Sequence, residues 1–381
     1  MPDLPSHAAD MPRSGIREVM DAVWRSPDPV IALHVGEPSF PTPDHVLAGA
    51  QAALERHETR YVPNAGIPPL RDAIAEKVRS RNGFDTSTEQ VIVSAGGMQA
   101  LYVALTATVQ AGDEVLIPDP GWPNFAMAVQ LLQAVPKRYP LVQEHDFLPH
   151  LADLDRHVGP RTRAIVVNSP SNPLGAVLTP TLAEELVRFA DRHDLWVISD
   201  ECYDAITFDM PQVSPARWDR EGRVFSCFSF SKTYAMTGMR VGYLVAPQSV
   251  AAVTAAKMQE ALIACVNAPA QYAALAALDG PQDCVAIMRD TYRDRRDQAI
   301  KLLDANRANY LVPQGAFYLW IEVPDAHRDV ADWSLKLLHD KHVAVAPGTA
   351  FGPTGQGWVR VSLATDTEDL LEGLGRLISP G

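Results

Sequence analysis

The chain is poor in cysteine. Its four cysteines, Cys202, Cys227, Cys265 and Cys284, form no Cys-x-x-Cys pair and no zinc-like spacing with histidine. That argues against a disulfide scaffold or a metal centre and for reduced, mostly buried thiols in a cytosolic protein. No apolar run approaches the roughly 18 residues of a membrane helix. The first twenty residues lack a basic flank followed by an apolar core, so no signal peptide is expected. A basic stripe is also missing. Lys plus Arg number 33 against 46 Asp plus Glu, a net charge of −13. This balance argues against nucleic acid and anionic membrane surfaces as partners. There is no fixed-period repeat and no low-complexity tract. What remains is ordinary globular composition, 47% hydrophobic, in 381 residues. That length is too great for one simple core, so a large domain with a smaller one is expected.

From about Glu89 short apolar runs alternate with amphipathic segments. "QVIVSA", "DEVLIPDP", "RAIVVNSP", "LWVISDE" and "RVFSCFSF" read as strands, and "GGMQALYVALTATV", "NFAMAVQLLQ" and "TLAEELVRFADRHD" as helices between them. Strands that are nearly all apolar suit burial on both faces. The alternation predicts an α/β fold, a mainly parallel sheet with helices on both sides. "RVGYLVA" comes after the last of these strands too closely for a crossover helix and reads as an antiparallel neighbour. A helical tract then runs from about Ser249 to Leu303. Strands "FYLWIEV", "VAVAP" and "GWVRVSLA", with helices near Trp333–His339 and Glu368–Leu377, suggest a smaller α+β domain. A helix at about Ile16–Trp24 and an extended piece after it are placed with that domain.

Ligands of open parallel sheets bind beyond the carboxyl ends of the strands. The residues just after each strand therefore matter most. They are Gly96, Gly97 and Met98; Asp119 and Trp122; Asn172; Asp200, Cys202 and Tyr203; and Ser229, Ser231 and Lys232, with Arg240 eight positions further on. Each has a bland reading. Gly-Gly before a helix is often only a tight turn, and Asn172–Pro173 is ordinary turn chemistry. Asp200 could cap the next turn of chain. Lys232 and Arg240 could be surface charges, and Trp122 could be core. These readings must all hold independently. A single ligand with an anionic phosphate, an aromatic ring with a basic nitrogen, and an aldehyde for lysine explains the set.

With those residues goes a run of motifs in order: "LHVGEPSFPTP", "YVPNAGIPPLR", "VIVSAGGMQAL", "GDEVLIPDPGWPNF", "VVNSPSNPLGAVL", "VISDECYDAI", "SFSKTYAMTGMRVGYL", "GAFYLWIEV", "VAVAPGTAFG" and "WVRVSLA". Over almost its whole length the chain resembles the fold-type I, pyridoxal-phosphate-dependent aminotransferases of class I/II, in the branch with many bacterial aspartate and aromatic aminotransferases. The resemblance implies a seven-stranded sheet in a large domain over 45–285 and a small domain built from 1–44 and 286–381. It implies pyridoxal 5'-phosphate as cofactor, with Lys232 as the lysine that holds it as an imine and later moves the substrate α-proton. Asp200 matches the carboxylate that pairs with the ring nitrogen. Tyr203 and Asn172 match residues that bond the ring's phenolic oxygen. Trp122 and Cys202 match the residues against its two faces. Gly97, Met98, Ser229 and Arg240 match the phosphate cup.

By the same resemblance Arg360 grips the substrate α-carboxylate, which suits the planar fork of arginine. Gly36 approaches that carboxylate, and Trp122 and Asn172 also face substrate. Tyr61 matches a tyrosine that reaches the phosphate of the neighbouring subunit, which implies a homodimer with shared active sites. Cis bonds are implied at Asp119–Pro120 and Asn172–Pro173. One residue departs from the pattern. Aspartate-specific members often carry a lysine after the glycine pair, where this chain has Met98. That points to an amino donor with an uncharged side chain. The expected activity is transfer of an amino group from an L-amino acid to a 2-oxo acid, often 2-oxoglutarate, in a ping-pong cycle in the cytoplasm. The alternative is a C–S lyase or other elimination enzyme of the same superfamily. A cofactor-binding transcriptional regulator would need a DNA-binding module before "LHVGEP", where the sequence has no room for one.

Overall fold

The computed structural model describes residues 9, 11, 14–324 and 329–379. Most of the first thirteen residues, where a leader was sought, lie outside that set. The strands in chain order are β1 (Ile31–Ala32), β2 (Val91–Ser94), β3 (Glu114–Asp119), β4 (Val135–Pro140), β5 (Thr162–Asn168), β6 (Trp196–Asp200), β7 (Val224–Ser229), β8 (Gly242–Val245), β9 (Tyr310–Leu311), β10 (Tyr318–Glu322), β11 (Val343–Ala344), β12 (Ala346–Pro347) and β13 (Trp358–Ser362).

Seven of them form one sheet in the order β2-β8-β7-β6-β5-β3-β4. All its pairs are parallel except those of β8, which runs antiparallel to both β2 and β7. This is the α/β fold expected from the alternation. The central strands are apolar because helices cover both faces. One face packs Leu101, Leu105, Phe125 and Val129 onto Ile117, Val166, Ile198 and Phe225. The other packs Leu186 and Phe189 onto Ile165 and Val197.

The seventh strand, β4, escapes the periodic reading. It sits at the sheet edge and carries Pro136, Lys137, Arg138 and Pro140. An edge strand bonds only one neighbour, so it tolerates proline and charge that a central strand excludes.

Beyond the large sheet, β12-β13-β10-β9 form an antiparallel sheet, and β1 pairs with β11 in parallel. The segment "VAVAP" was expected as a single strand. It is two short ones, β11 and β12, which serve different sheets. The helix Gly15–Arg25 packs against the helix Val330–Lys341, so the N-terminal piece does join the C-terminal part of the chain. The tract after Ser249 is three helices, Ser249–Ile263, Ala268–Asp279 and Asp283–Ala305. The expected cis bonds at Asp119–Pro120 and Asn172–Pro173 are present, and Ser169–Pro170 is cis as well. Among the described residues no helix is long and apolar enough to cross a membrane.

Candidate active site

The carboxyl ends of β2, β5, β6 and β7 open onto a cavity of about 440 Å³. It is lined by Gly36, Gly97, Met98, Trp122, Asn172, Asp200, Cys202, Tyr203, Ser229, Lys232, Arg240 and Arg360. Twelve of the thirteen residues to which the resemblance gives a role therefore meet in one place. The thirteenth, Tyr61, is outside the lining and 90% exposed.

The cavity is built by local chemistry. After β2 the chain must turn sharply into the helix Gly97–Thr108. Gly96 does this at φ +82°, a region that favours glycine. A Cβ there would also come within 2.5 Å of an Arg240 nitrogen. The first amides of that helix have no intrahelical acceptor and form a partial positive pole. Ser229 Oγ accepts from the Ser231 amide (3.1 Å) and holds the turn that carries Lys232. Arg240 donates to the Thr237 carbonyl (2.9 Å), and Thr237 in turn bonds Glu37. Helix pole, hydroxyl and guanidinium thus gather at one end of the cavity.

Asp200 sits at the end of β6, buried, with the Cys202 amide donating to its Oδ1 at 3.2 Å and the Cys202 thiol also bonded to it. Among the described residues it has no salt-bridge partner. Burial accordingly pushes its carboxyl above the usual range. Lys232 Nζ donates to the Gly36 carbonyl at 2.6 Å. Burial lowers its pKa to about 8, because an ammonium is costly away from water. Cys202 is pushed well up by the same desolvation, so its thiol stays protonated.

Arg360 is buried on β13 and commits two nitrogens inside the protein. Nη1 donates to Asn172 Oδ1 (2.9 Å) and Nη2 to the His34 carbonyl (2.7 Å). Its Nε is buried without a partner. The guanidinium lies 4.3 Å from the Tyr318 ring centroid and 4.9 Å from that of Phe351. Desolvation and the Arg360 charge hold the neighbouring His34 down to about 4, so it is neutral at pH 7.

The sequence reading missed Tyr318. Its hydroxyl bonds the Tyr203 hydroxyl at 2.8 Å while its ring supports Arg360. It lies inside "FYLWIEV", which reads simply as a buried strand, and nothing in that pattern marks one aromatic as polar in role. Asn124, Ser231 and Thr237 also line the cavity.

Comparison with known proteins adds the family. A sequence profile described as "Aminotransferase class I and II" matches residues 28–377. The chain belongs to the class I and II aminotransferases. It is 37% identical to an aspartate aminotransferase of Pyrococcus horikoshii, across 96% of this chain and 94% of that one. The aromatic-amino-acid aminotransferase 2 of Thermococcus litoralis gives the same figures. Among solved structures, the aspartate aminotransferase from Thermus thermophilus with maleate superposes with a TM-score of 0.93 at 36% identity, covering 99% of both chains. As a member of this family the protein is a pyridoxal-phosphate-dependent aminotransferase that uses amino acid and 2-oxo acid substrates. The relatives named are all aminotransferases, which does not favour the elimination alternative.

The residues present fit that cofactor. A buried carboxylate with no salt bridge among the described residues suits a protonated ring nitrogen. A helix pole with Arg240 suits a phosphate dianion. A half-buried, desolvated amine with a depressed pKa suits an aldehyde.

Proposed function

We propose that Lys232, Asp200 and Arg360 carry the chemistry of amino-group transfer in this cavity, for an amino donor with an uncharged side chain. The observation that carries the reading is one half-buried, desolvated lysine amine lining the same cavity as a buried arginine and a buried carboxylate that has no salt bridge among the described residues. Gly97, Met98, Ser229 and Arg240 would hold the phosphate. Asp200 would hold the ring nitrogen, Trp122 and Cys202 the ring faces, and Asn172 and Tyr203 the phenolic oxygen. When bound, pyridoxal phosphate supplies a sink for the electron pair left on the substrate α-carbon as its proton departs.

The chain's own groups do the rest. Arg360 binds the α-carboxylate, with the Gly36 backbone beside it. It is held in place before substrate arrives by Asn172, the His34 carbonyl and the Tyr318 ring, so little ordering is left to do on binding. Lys232 Nζ, with its pKa lowered to about 8 by burial, is a base whose neutral form is accessible near physiological pH. It takes the α-proton and returns it. Asp200, ionised against a ring cation, keeps that cation protonated.

The donor class rests on the lining. Apart from Lys232, Arg240 and Arg360 the described lining residues include no cation to meet a second carboxylate. Met98, Ile16 and Trp122 are apolar, and Arg17 is outside the lining, over the Trp24 ring. The proposal includes 2-oxoglutarate as a common acceptor, the large domain over 45–285 with a small domain from 1–44 and 286–381, a cytoplasmic location and a homodimer in which Tyr61 reaches the partner's phosphate site. A tyrosine 90% exposed supports the dimer. The test is a panel: each amino acid is mixed with the holoenzyme, and conversion of the cofactor to its amino form is followed by absorbance. Leucine, methionine or an aromatic amino acid should convert it faster than aspartate. Faster conversion by aspartate would overturn the donor class.

A further inference from the structure

A second cavity, of about 400 Å³, lies where β7 and β8 are covered by the helices Pro68–Lys77 and Ala268–Asp279. It has no part in the chemistry above. Yet it shares Ser229 with the first cavity, and Phe230 and Thr233 of its wall flank the turn that carries Lys232.

Its wall has three chemistries. Phe228, Phe230, Tyr234 and Tyr243 give an aromatic floor, continued by Leu278 and Val285. Lys77, Arg81 and Arg289 are positive. Lys77 is already paired with Asp204 and lies 4.6 Å from the Phe228 ring centroid, whereas among the described residues Arg81 makes only a neutral bond, to Gln282 Oε1 at 2.9 Å. Arg289 uses its Nε on exposed Asp290. The third chemistry is unsatisfied acceptors. Asn82 is 5% exposed and gives its Nδ2 to Asp204, but its Oδ1 is buried without a partner. Thr233 is 6% exposed, and its Oγ1 is likewise buried and unpartnered. Both atoms are closed off from the cavity, so the acceptor left for a ligand is the Asp204 carboxylate, whose Oδ2 takes Lys77 and Asn82 while no hydrogen bond reaches its Oδ1 among the described residues.

We propose that this cavity binds a free α-amino acid with an apolar or aromatic side chain, as an effector. Its ammonium donates to the Asp204 carboxylate. Its carboxylate meets Arg81 and Arg289. Its side chain lies on the aromatic floor, where burying apolar surface contributes. No bond is made or broken. Because Thr233 adjoins Lys232, occupancy is coupled to the position of the catalytic turn.

The experiment uses the holoenzyme with its cofactor converted to the amino form, which does not react with amino acids. L-Phenylalanine is titrated by calorimetry. About one site per protomer is expected. Affinity should fall roughly tenfold or more, the equivalent of about 1.4 kcal/mol, in the double variant R81A/R289A, whose fold is checked by circular dichroism. 3-Phenylpropanoate, which lacks the ammonium, should bind much more weakly. Absence of heat at millimolar phenylalanine, unchanged affinity in the double variant, or equal binding of 3-phenylpropanoate would each overturn the proposal. Failure here leaves the catalytic reading intact, because the donor panel is read on the aldehyde form at the other cavity.

Discussion

At the scale of single residues, the site works through burial. Lys232 is an ordinary lysine by sequence, and desolvation, helped by the charges of Arg360 and Arg240, lowers its pKa to about 8. The sign has a direct consequence. The neutral amine attacks an aldehyde, so capture of cofactor by the cofactor-free protein should speed up as pH rises through about 8 and level off above it. A stopped-flow absorbance series across pH checks this. A midpoint near the usual lysine value of about 10.4 would show that Nζ is solvated. Arg360 gives a second residue-scale prediction. Arg360→Lys keeps the charge but loses the planar fork. The loss of a charge-assisted bond of about 1.5–3 kcal/mol should raise KM for the amino donor tenfold or more. Added arginine-like small molecules such as guanidinium should restore little. Steady-state kinetics on the variant reads it, and an unchanged KM would place the carboxylate elsewhere. Met98→Lys should shift the donor preference towards aspartate.

Elements explain how much of this was legible. The strand ends were readable because a buried parallel strand leaves a plain mark, an apolar run broken by a polar residue. Asn172, Asp200 and Lys232 each come after such a run. The edge strand β4 and the split of "VAVAP" were not readable, since both depend on which sheet the backbone bonds to, and short apolar runs do not encode partners. Tyr318 was hidden for a related reason. Its role comes from β10 lying beside β13, in whose register Trp320 faces Arg360 and Tyr318 faces Ser362. That adjacency is a tertiary fact.

The step after β6 offers an element-scale prediction. Asp200 lines the cavity, while the next residue, Glu201, is fully buried among Gln212 (2.7 Å), Ser214 (2.8 Å) and the β7 backbone. Burial raises its pKa to about 7 from an ordinary 4.5. The folded state therefore holds a proton that the unfolded chain has released between those values. Stability should fall by roughly 3 kcal/mol as pH rises from about 4.5 to about 7. Glu201→Gln should remove most of that fall. Denaturant unfolding at a series of pH values measures it, and a wild-type profile flat across that interval would contradict the assignment.

For the whole molecule, the acidic surface and the exposed Tyr61 bear on assembly. Tyr61 lies near exposed Leu54 in sequence, away from the first cavity. If it meets the partner's phosphate site, Tyr61→Phe should weaken cofactor retention in the dimer without altering the monomer fold. Equilibrium dialysis of pyridoxal phosphate against wild type and variant, with mass measured by light scattering, checks both points. A monomer with full cofactor affinity would rule out shared sites. The acidic net charge of −13 leaves the two arginines of the second cavity, together with the phosphate end of the first, as local positive spots. Small anions are drawn to such concave places even on an acidic protein.

The central claim is that one amine, Lys232 Nζ, receives the cofactor. The most direct measurement is borohydride reduction of the holoenzyme, then proteolysis and mass spectrometry of the labelled peptide. The account predicts a pyridoxyl-phosphate adduct on Lys232 at close to one per chain. An adduct on any other lysine, or none with the cofactor still bound, would contradict it.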